Sequence, residues 1–286
     1  MQNNKKVIMI TLDGCRYDIA IQQLGILNHF VEKKLASRFK VLSETPSNSR
    51  PLYEVLLTGV PTFENGIYTN YSVQRSKEQS IFSLAKEAGK STAAAAYSWV
   101  SELYNRAPYS MFEDRIQNDE TKNIQHGIFY SDDTYPDSHL FQDAHHLISN
   151  YQPDFVYVHS MNIDDTGHKF TGNSIEYRRS INQIDTILGV YLPLWLKMGY
   201  QIVVTSDHGM DDFGNHGGTM PEHREVPLFI LSDYIPPHIG TEVVAQLQLA
   251  PLVCHMLGID QGQKMQEIDW EVLLGGVNML EKEKIK

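Results

Sequence analysis

Thr205-Ser206-Asp207-His208-Gly209-Met210-Asp211-Asp212-Phe213-Gly214-Asn215-His216-Gly217-Gly218 is the stretch whose reading decides the fold. It follows Tyr200-Gln201-Ile202-Val203-Val204, an apolar, β-branched run that predicts a buried strand. A strand that ends in Asp-His and then turns through four glycines, with another histidine among them, is poorly suited to packing. It suits a metal site at a strand end, because glycine lets the backbone turn tightly while carboxylate and imidazole converge. An Asp N-cap followed by a loop histidine would leave the same string, so the rest of the chain must decide.

Working outward, the chain alternates between strand and helix patterns. Val7-Ile8-Met9-Ile10-Thr11-Leu12 predicts a buried strand ending at Asp13-Gly14, and residues 21–35 carry helical spacing. Phe39-Lys40-Val41-Leu42 predicts a short strand. From Ser49 to Thr58 the pattern is a helix, with Ser49 at the N-cap, Pro51 in its first turn and Gly59 at its end. Further helices are expected over 78–89, 138–150, 174–196 (kinked or ended by Pro193) and 242–257. Further strands are expected over 91–99, 154–161 and 226–231, and the polar run Asn162-Ile163-Asp164-Asp165-Thr166-Gly167-His168 reads as a loop. Residues 101–137 have weak periodicity and read as a candidate lid or substrate-recognition insertion, or a plain surface excursion. The alternation predicts an α/β fold with a mostly parallel central sheet and helices on both faces. On that fold Asp13, Asp164–His168 and Asp207-His208 all follow the carboxyl ends of strands, the edge where open α/β sheets bind ligands.

Composition narrows the functions. A chain of 286 residues, 42% hydrophobic and 21% charged, is that of an ordinary globular protein. Its 35 acidic against 24 basic residues leave a formal charge of −11 and no basic stripe for a nucleic-acid polymer. Cys15 and Cys254 are too few for a disulfide framework. No leader-like segment and no run of about 18 apolar residues is seen, so a cytoplasmic enzyme without a membrane partner is expected.

Three Asp (Asp13, Asp164, Asp207) and three His (His168, His208, His216) exceed what one cation needs and suit two divalent ions. Two such ions bring four positive charges against three carboxylates, leaving a locally cationic site that can capture a phosphate. Ser49, at a helix start, is the candidate nucleophile, activated by a bound cation; Arg50 beside it is either a phosphate clamp or a surface charge.

In chain order, Leu12-Asp13-Gly14, Ser49-Arg50-Pro51 running to Leu57-Thr58-Gly59, Asp164-x-x-Gly167-His168, Ser206-Asp207-His208-Gly209-Met210 and His216-Gly217-Gly218 together resemble the alkaline phosphatase superfamily. Within it they resemble the type I phosphodiesterase/nucleotide pyrophosphatase group, over nearly the whole chain. The resemblance implies one alkaline phosphatase-like catalytic domain spanning 1–286, hydrolysing a small phosphate ester through a phosphoseryl intermediate on Ser49. It implies one ion held by Asp13, Ser49, Asp207 and His208 and another by Asp164, His168 and His216. Zinc is the usual metal, and the Asp/His donors also admit manganese.

The sequence departs from that group in places. Nucleotide pyrophosphatases commonly carry Thr-Phe-Pro-Asn where this chain has Ser49-Arg50-Pro51-Leu52, so a phosphate-contacting asparagine is missing there and Arg50 or residues 101–137 must supply the contact. His223, just before a strand, competes with His216 as last ligand; His216 is favoured by its His-Gly-Gly context. The remaining histidines, His159 among them, match no motif. Ser49-x-Pro51 also begins like the sulfatase signature, but Tyr53 stands where that signature has arginine. A sulfatase or phosphonate hydrolase of the same superfamily, or a catalytically silent metal-binding protein, are the competing readings.

Overall fold

A computed structural model describes residues 5–275. Nine strands form one sheet: β1 (Lys6–Leu12), β2 (Ser37–Leu42), β3 (Thr92–Tyr97), β4 (Ile116–Asn118), β5 (His126–Tyr130), β6 (Phe155–Ser160), β7 (Tyr200–Thr205), β8 (Glu225–Leu231) and β9 (Ile239–Ala245). Their spatial order is β4-β5-β3-β6-β1-β7-β8-β2-β9. Only β4 and β8 run against the others. The expected mostly parallel α/β architecture is therefore the observed one.

The continuous apolar runs follow from burial on both faces. Along β1, Val7 and Met9 enter one core while Ile8, Ile10 and Leu12 enter the other. The first core is completed by the helices Ser49–Thr58, Ile81–Glu87 and Leu249–Leu257. The second is completed by Tyr17–Gln23, Gly25–Glu32, Asp137–Tyr151 and Ile175–Lys197. Among the described residues no helix is long and apolar enough to cross a membrane.

Several local expectations are corrected by tertiary contacts. The helix expected over 21–35 is broken at Leu24, because Asp185 of the long helix Ile175–Lys197 accepts the N–H groups of Ile26 (2.7 Å) and Leu27 (3.3 Å) and starts a second helix there. That long helix continues through Pro193 to Lys197. Residues 162–168 are not a loop but part of the helix Asn162–Phe170, whose interior Gly167 is required by Met210: a Cβ there would lie 2.8 Å from the methionine side chain. The strand expected over 91–99 gives way to a helix at Ser98, and residues 101–137 contribute β4 and β5 to one sheet edge. The helix expected from 242 begins only at Leu249, since Val243 and Val244 pair with β2 as part of β9. Ser49 is the first residue of its helix and Asn48 the N-cap.

Two buried features generate tests. Gly14 adopts φ +72°, and a Cβ there would lie 2.9 Å from Cα and Cβ of Asp164. Gly89 has nearly the same φ, +74°, with nothing within 4 Å. Gly14→Ala is expected to lower stability by about 2–4 kcal/mol and Gly89→Ala by about 1 kcal/mol in urea unfolding; equal losses would remove the close-approach argument. Second, Glu54 is fully buried, accepts hydrogen bonds from Ser76 Oγ (2.5 Å) and Tyr104 Oη (2.8 Å), and is pushed by burial up to about 7. The folded state thus holds this proton where the unfolded chain has released it, so stability falls as pH rises from about 4.5 to about 7. Glu54→Gln keeps the neutral form at every pH. Between pH 4.5 and 8 it should lose less unfolding free energy than the parent, by about 2–3 kcal/mol.

Candidate active site

The sheet order brings the predicted residues together. Asp13 follows β1, the helix bearing Asp164 and His168 follows β6, and Asp207-His208 follows β7. These three strands are adjacent and parallel, in the order β6-β1-β7, so their carboxyl ends share one edge. The i,i+4 spacing places Asp164 and His168 on one helix face, with His168 Nε2 3.3 Å from Asp164 Oδ2. The segment from Ser206 to Arg224, a loop closed by the short helix Pro221–Arg224, leads into the antiparallel β8 and delivers His216.

Two groups of ligand atoms result: Asp13, Asp207 and His208, and Asp164, His208 and His216. His208 Nε2 stands 3.3 Å from both Asp13 Oδ1 and Asp207 Oδ2, and its ring stacks on His216 at 3.8 Å. His208 therefore borders both groups, where the resemblance had placed it with the first alone. His168 joins the second through its Nε2, 3.1 Å from Nε2 of His216.

The hydrogen bonds test whether these residues fit metal ions. Each imidazole donates through Nδ1 to a backbone carbonyl: His168 to Gly214 (2.8 Å), His208 to Gly209 (2.9 Å) and His216 to Ser47 (2.7 Å). In the neutral ring that leaves the lone pair on Nε2 of His208 and of His216, while His168 Nε2 faces both His216 Nε2 and the Asp164 carboxylate. Each carboxylate also keeps one buried oxygen without a partner: Asp13 Oδ1, Asp164 Oδ1 and Asp207 Oδ2. Orphaned carboxylate oxygens, with inward imidazole nitrogens beside them, are costly unless a cation lies among them. The donor set fits divalent ions.

The proton affinities carry the same strain. Burial, then the neighbouring Asp13 and Asp164 charges, raises Asp207 well above the usual carboxylate range. Burial would raise Asp13 too, but hydrogen bonds from His159 and Tyr53 and the adjacent His208 hold it down to about 2. The hydrogen bond with Asp164 lifts His168 to about 9, while burial and the nearby His208 press His216 down to about 4.

Ser49 Oγ lies 3.1 Å from His208 Nε2, so the candidate nucleophile adjoins the first group. Arg50 is placed differently from the clamp considered for it. Its guanidinium is 2% exposed, bonded to Glu102 Oε2 (2.5 Å) and to the Ser72 carbonyl, and lies over Trp99. Its backbone N–H instead donates to Asn70 Oδ1 at 3.0 Å, bringing an asparagine beside Ser49 from 20 residues further along. No local motif marked Asn70.

Two more residues lay outside the sequence reading. Tyr53 Oη donates to Asp13 Oδ2, and His159 Nε2 stands 3.1 Å from the same oxygen. Both follow from placement: Tyr53 is one helical turn beyond Ser49, and His159 on β6 pairs with Thr11 on β1. His223, the rival last ligand, is occupied elsewhere. Its Nε2 meets Asp211 Oδ2 at 3.2 Å and its Nδ1 accepts the Gly218 N–H at 3.0 Å. Asp211 in turn accepts the N–H groups of Phe213 and Asn215, so the pair braces the loop that carries His216.

Comparison with known proteins bears on the fold and the family. The human GPI ethanolamine phosphate transferase 2 catalytic subunit is 24% identical over 268 residues, covering 86% of this chain and 26% of its own. GPI ethanolamine phosphate transferase 3 of Saccharomyces cerevisiae is 25% identical, covering 80% and 23%. The chain thus spans about a quarter of the length of these relatives. Among solved structures, murine ectonucleotide pyrophosphatase/phosphodiesterase 5 superposes with a TM-score of 0.71 at 14% identity, covering 94% of this chain and all of that one. A phosphonate monoester hydrolase from Silicibacter pomeroyi gives 0.67 at 16% identity, covering 96% and 78%. The family model for type I phosphodiesterase/nucleotide pyrophosphatase matches residues 7–225. The chain therefore belongs to the type I phosphodiesterase/nucleotide pyrophosphatase family.

Proposed function

We propose that this chain cleaves small phosphate esters by nucleophilic attack of Ser49 at a site for two divalent cations, most simply zinc. One observation carries the reading: three carboxylate oxygens without partners and three inward imidazole Nε2 atoms gather in two groups, the first of which adjoins the Ser49 hydroxyl. Asp13, Asp207 and His208 would hold the ion beside Ser49, and Asp164, His168 and His216 the other. Bound there, the ions supply Lewis acidity that lowers the serine hydroxyl's pKa and neutralises phosphoryl oxygens. Imidazole and carboxylate donors without thiolate suit zinc and admit manganese.

The protein's own groups do the rest. Ser49, held as the first residue of a ten-residue helix, directs Oγ at the phosphorus, with the positive end of the helix dipole towards the anion. The Oγ–P bond forms as the ester P–O bond breaks and the alcohol departs; water then cleaves the phosphoserine. The Asn70 amide, fixed through its oxygen by Arg50 N–H, offers its NH2 to a phosphoryl oxygen. The net charge of −11 favours a small substrate over a nucleic-acid polymer. A second reading changes only the acceptor. The sequence relatives are named as ethanolamine phosphate transferases, and an alcohol in place of water would make the second half-reaction a transfer.

Ser49→Ala should lose turnover of bis-p-nitrophenyl phosphate by on the order of 10³-fold or more while keeping its metal content. Full activity in that variant would end the nucleophile assignment, and p-nitrophenyl sulfate as the preferred substrate would favour the sulfatase reading. Added glycerol separates hydrolysis from transfer, since a phosphoglycerol product appears only if an alcohol resolves the phosphoserine. His216→Ala should bind about one equivalent of zinc fewer than the parent by elemental analysis, whereas His223→Gln should keep both. The reverse pattern would make His223 the ligand.

A further inference from the structure

The two oxygens of Asp13 are treated unequally. Oδ1 is buried, has no hydrogen-bond partner and lies 3.3 Å from His208 Nε2. Oδ2 is taken by two donors, Tyr53 Oη and His159 Nε2, all three residues being inaccessible to solvent. Tyr53 stands four residues after Ser49 on one helix, so hydroxyl and phenol leave the same face one turn apart. One helix thus touches the ligand cluster twice: Ser49 Oγ meets His208 and Tyr53 Oη meets Asp13. His159 is fixed in turn, its carbonyl accepting Tyr130 Oη at 2.7 Å and its ring lying edge-on to Tyr53 at 4.5 Å.

We infer that Tyr53 is a positioning residue that fixes the Ser49 helix to Asp13 and, with His159, turns the other Asp13 oxygen towards the ion beside the nucleophile. The inference rests on the two-cation reading above and deepens it. A carboxylate with both donors on one oxygen cannot rotate without breaking them, so Oδ1 is aimed before any ion arrives. The same phenol sets how far Ser49 Oγ stands from that ion, since helix and carboxylate move as one body. Tyr53 touches neither substrate nor reacting atoms in this account. It acts through Asp13.

The test uses the full chain with Tyr53→Phe, which keeps the ring and its packing, and His159→Gln as a second variant. Zinc affinity is read by competition with a chromophoric chelator, and kcat and KM separately with bis-p-nitrophenyl phosphate. Tyr53→Phe should weaken the tighter or the looser of the two zinc-binding steps, but only one, and lower kcat, each by about 10–100-fold, with KM changed little. Combining the variants should cost less than the product of the single effects, because both donors serve one oxygen. A purely structural phenol would lower the melting temperature of the zinc-free protein and leave zinc affinity and kcat of the folded protein at parent values. That result overturns the inference, as does strict multiplicativity of the two variants. A parent protein that binds no zinc at all would overturn the two-cation reading itself, and this inference with it.

Discussion

Three carboxylates buried within reach of one another repel, and the sheet leaves them no means of escape. Asp13 is the first residue beyond β1, and β1 is held in register between β6 and β7, with Leu12 against Ser160 and Thr11 against Thr205. Both faces of these strands are covered by apolar side chains, so sliding or splaying them would expose the core to water. Hydrophobic burial thus outweighs the local electrostatics and fixes the acids where they do not want to be. The cost appears as the raised proton affinity of Asp207 and as unpartnered oxygens. Side chains strained without cations and matched with them are what the proposed two-ion centre would require.

The groups around the ligands are as specific as the ligands. Gly14 N–H fixes Asp207 Oδ1 at 3.2 Å, backbone carbonyls fix three imidazole tautomers, and Tyr53 with His159 fixes Asp13. Farther out, Ser43 Oγ and Gln246 Nε2 both donate to the Asp207 carbonyl, at 2.5 and 2.7 Å. Asp211 and His223 brace the loop bearing His216. These bonds join segments separated by up to 193 positions, which is how a loop-rich edge acquires a defined geometry.

Legibility differed by the range of the interaction that decides each feature. The apolar strands β1, β6 and β7 were read almost to the residue, because burial on both faces writes itself as a continuous β-branched run. β9 was missed: it is a mostly exposed edge strand whose Val243 and Val244 are strand residues only because β2 lies beside them. The helix at Asn162 was read as a loop because Gly167 weakens it locally, and the reason for that glycine, Met210, lies 43 positions away. The break at Leu24 depends in the same manner on Asp185.

Taken by itself, the sequence determined the fold class, the family, and the identity of the polar residues gathered at the strand ends. Those depend on hydrophobic period and on short strings at strand termini, which are local properties of a chain. Only the tertiary structure decided how those residues are used. It placed His208 between both ligand groups, engaged His223 with Asp211 and Gly218, turned the Arg50 guanidinium away to Glu102, and brought Asn70, Tyr53 and His159 to the site. Each of these outcomes is a competition between donors and acceptors on different elements. Such a competition is settled by which elements pack together, and no single stretch of sequence contains both sides of it.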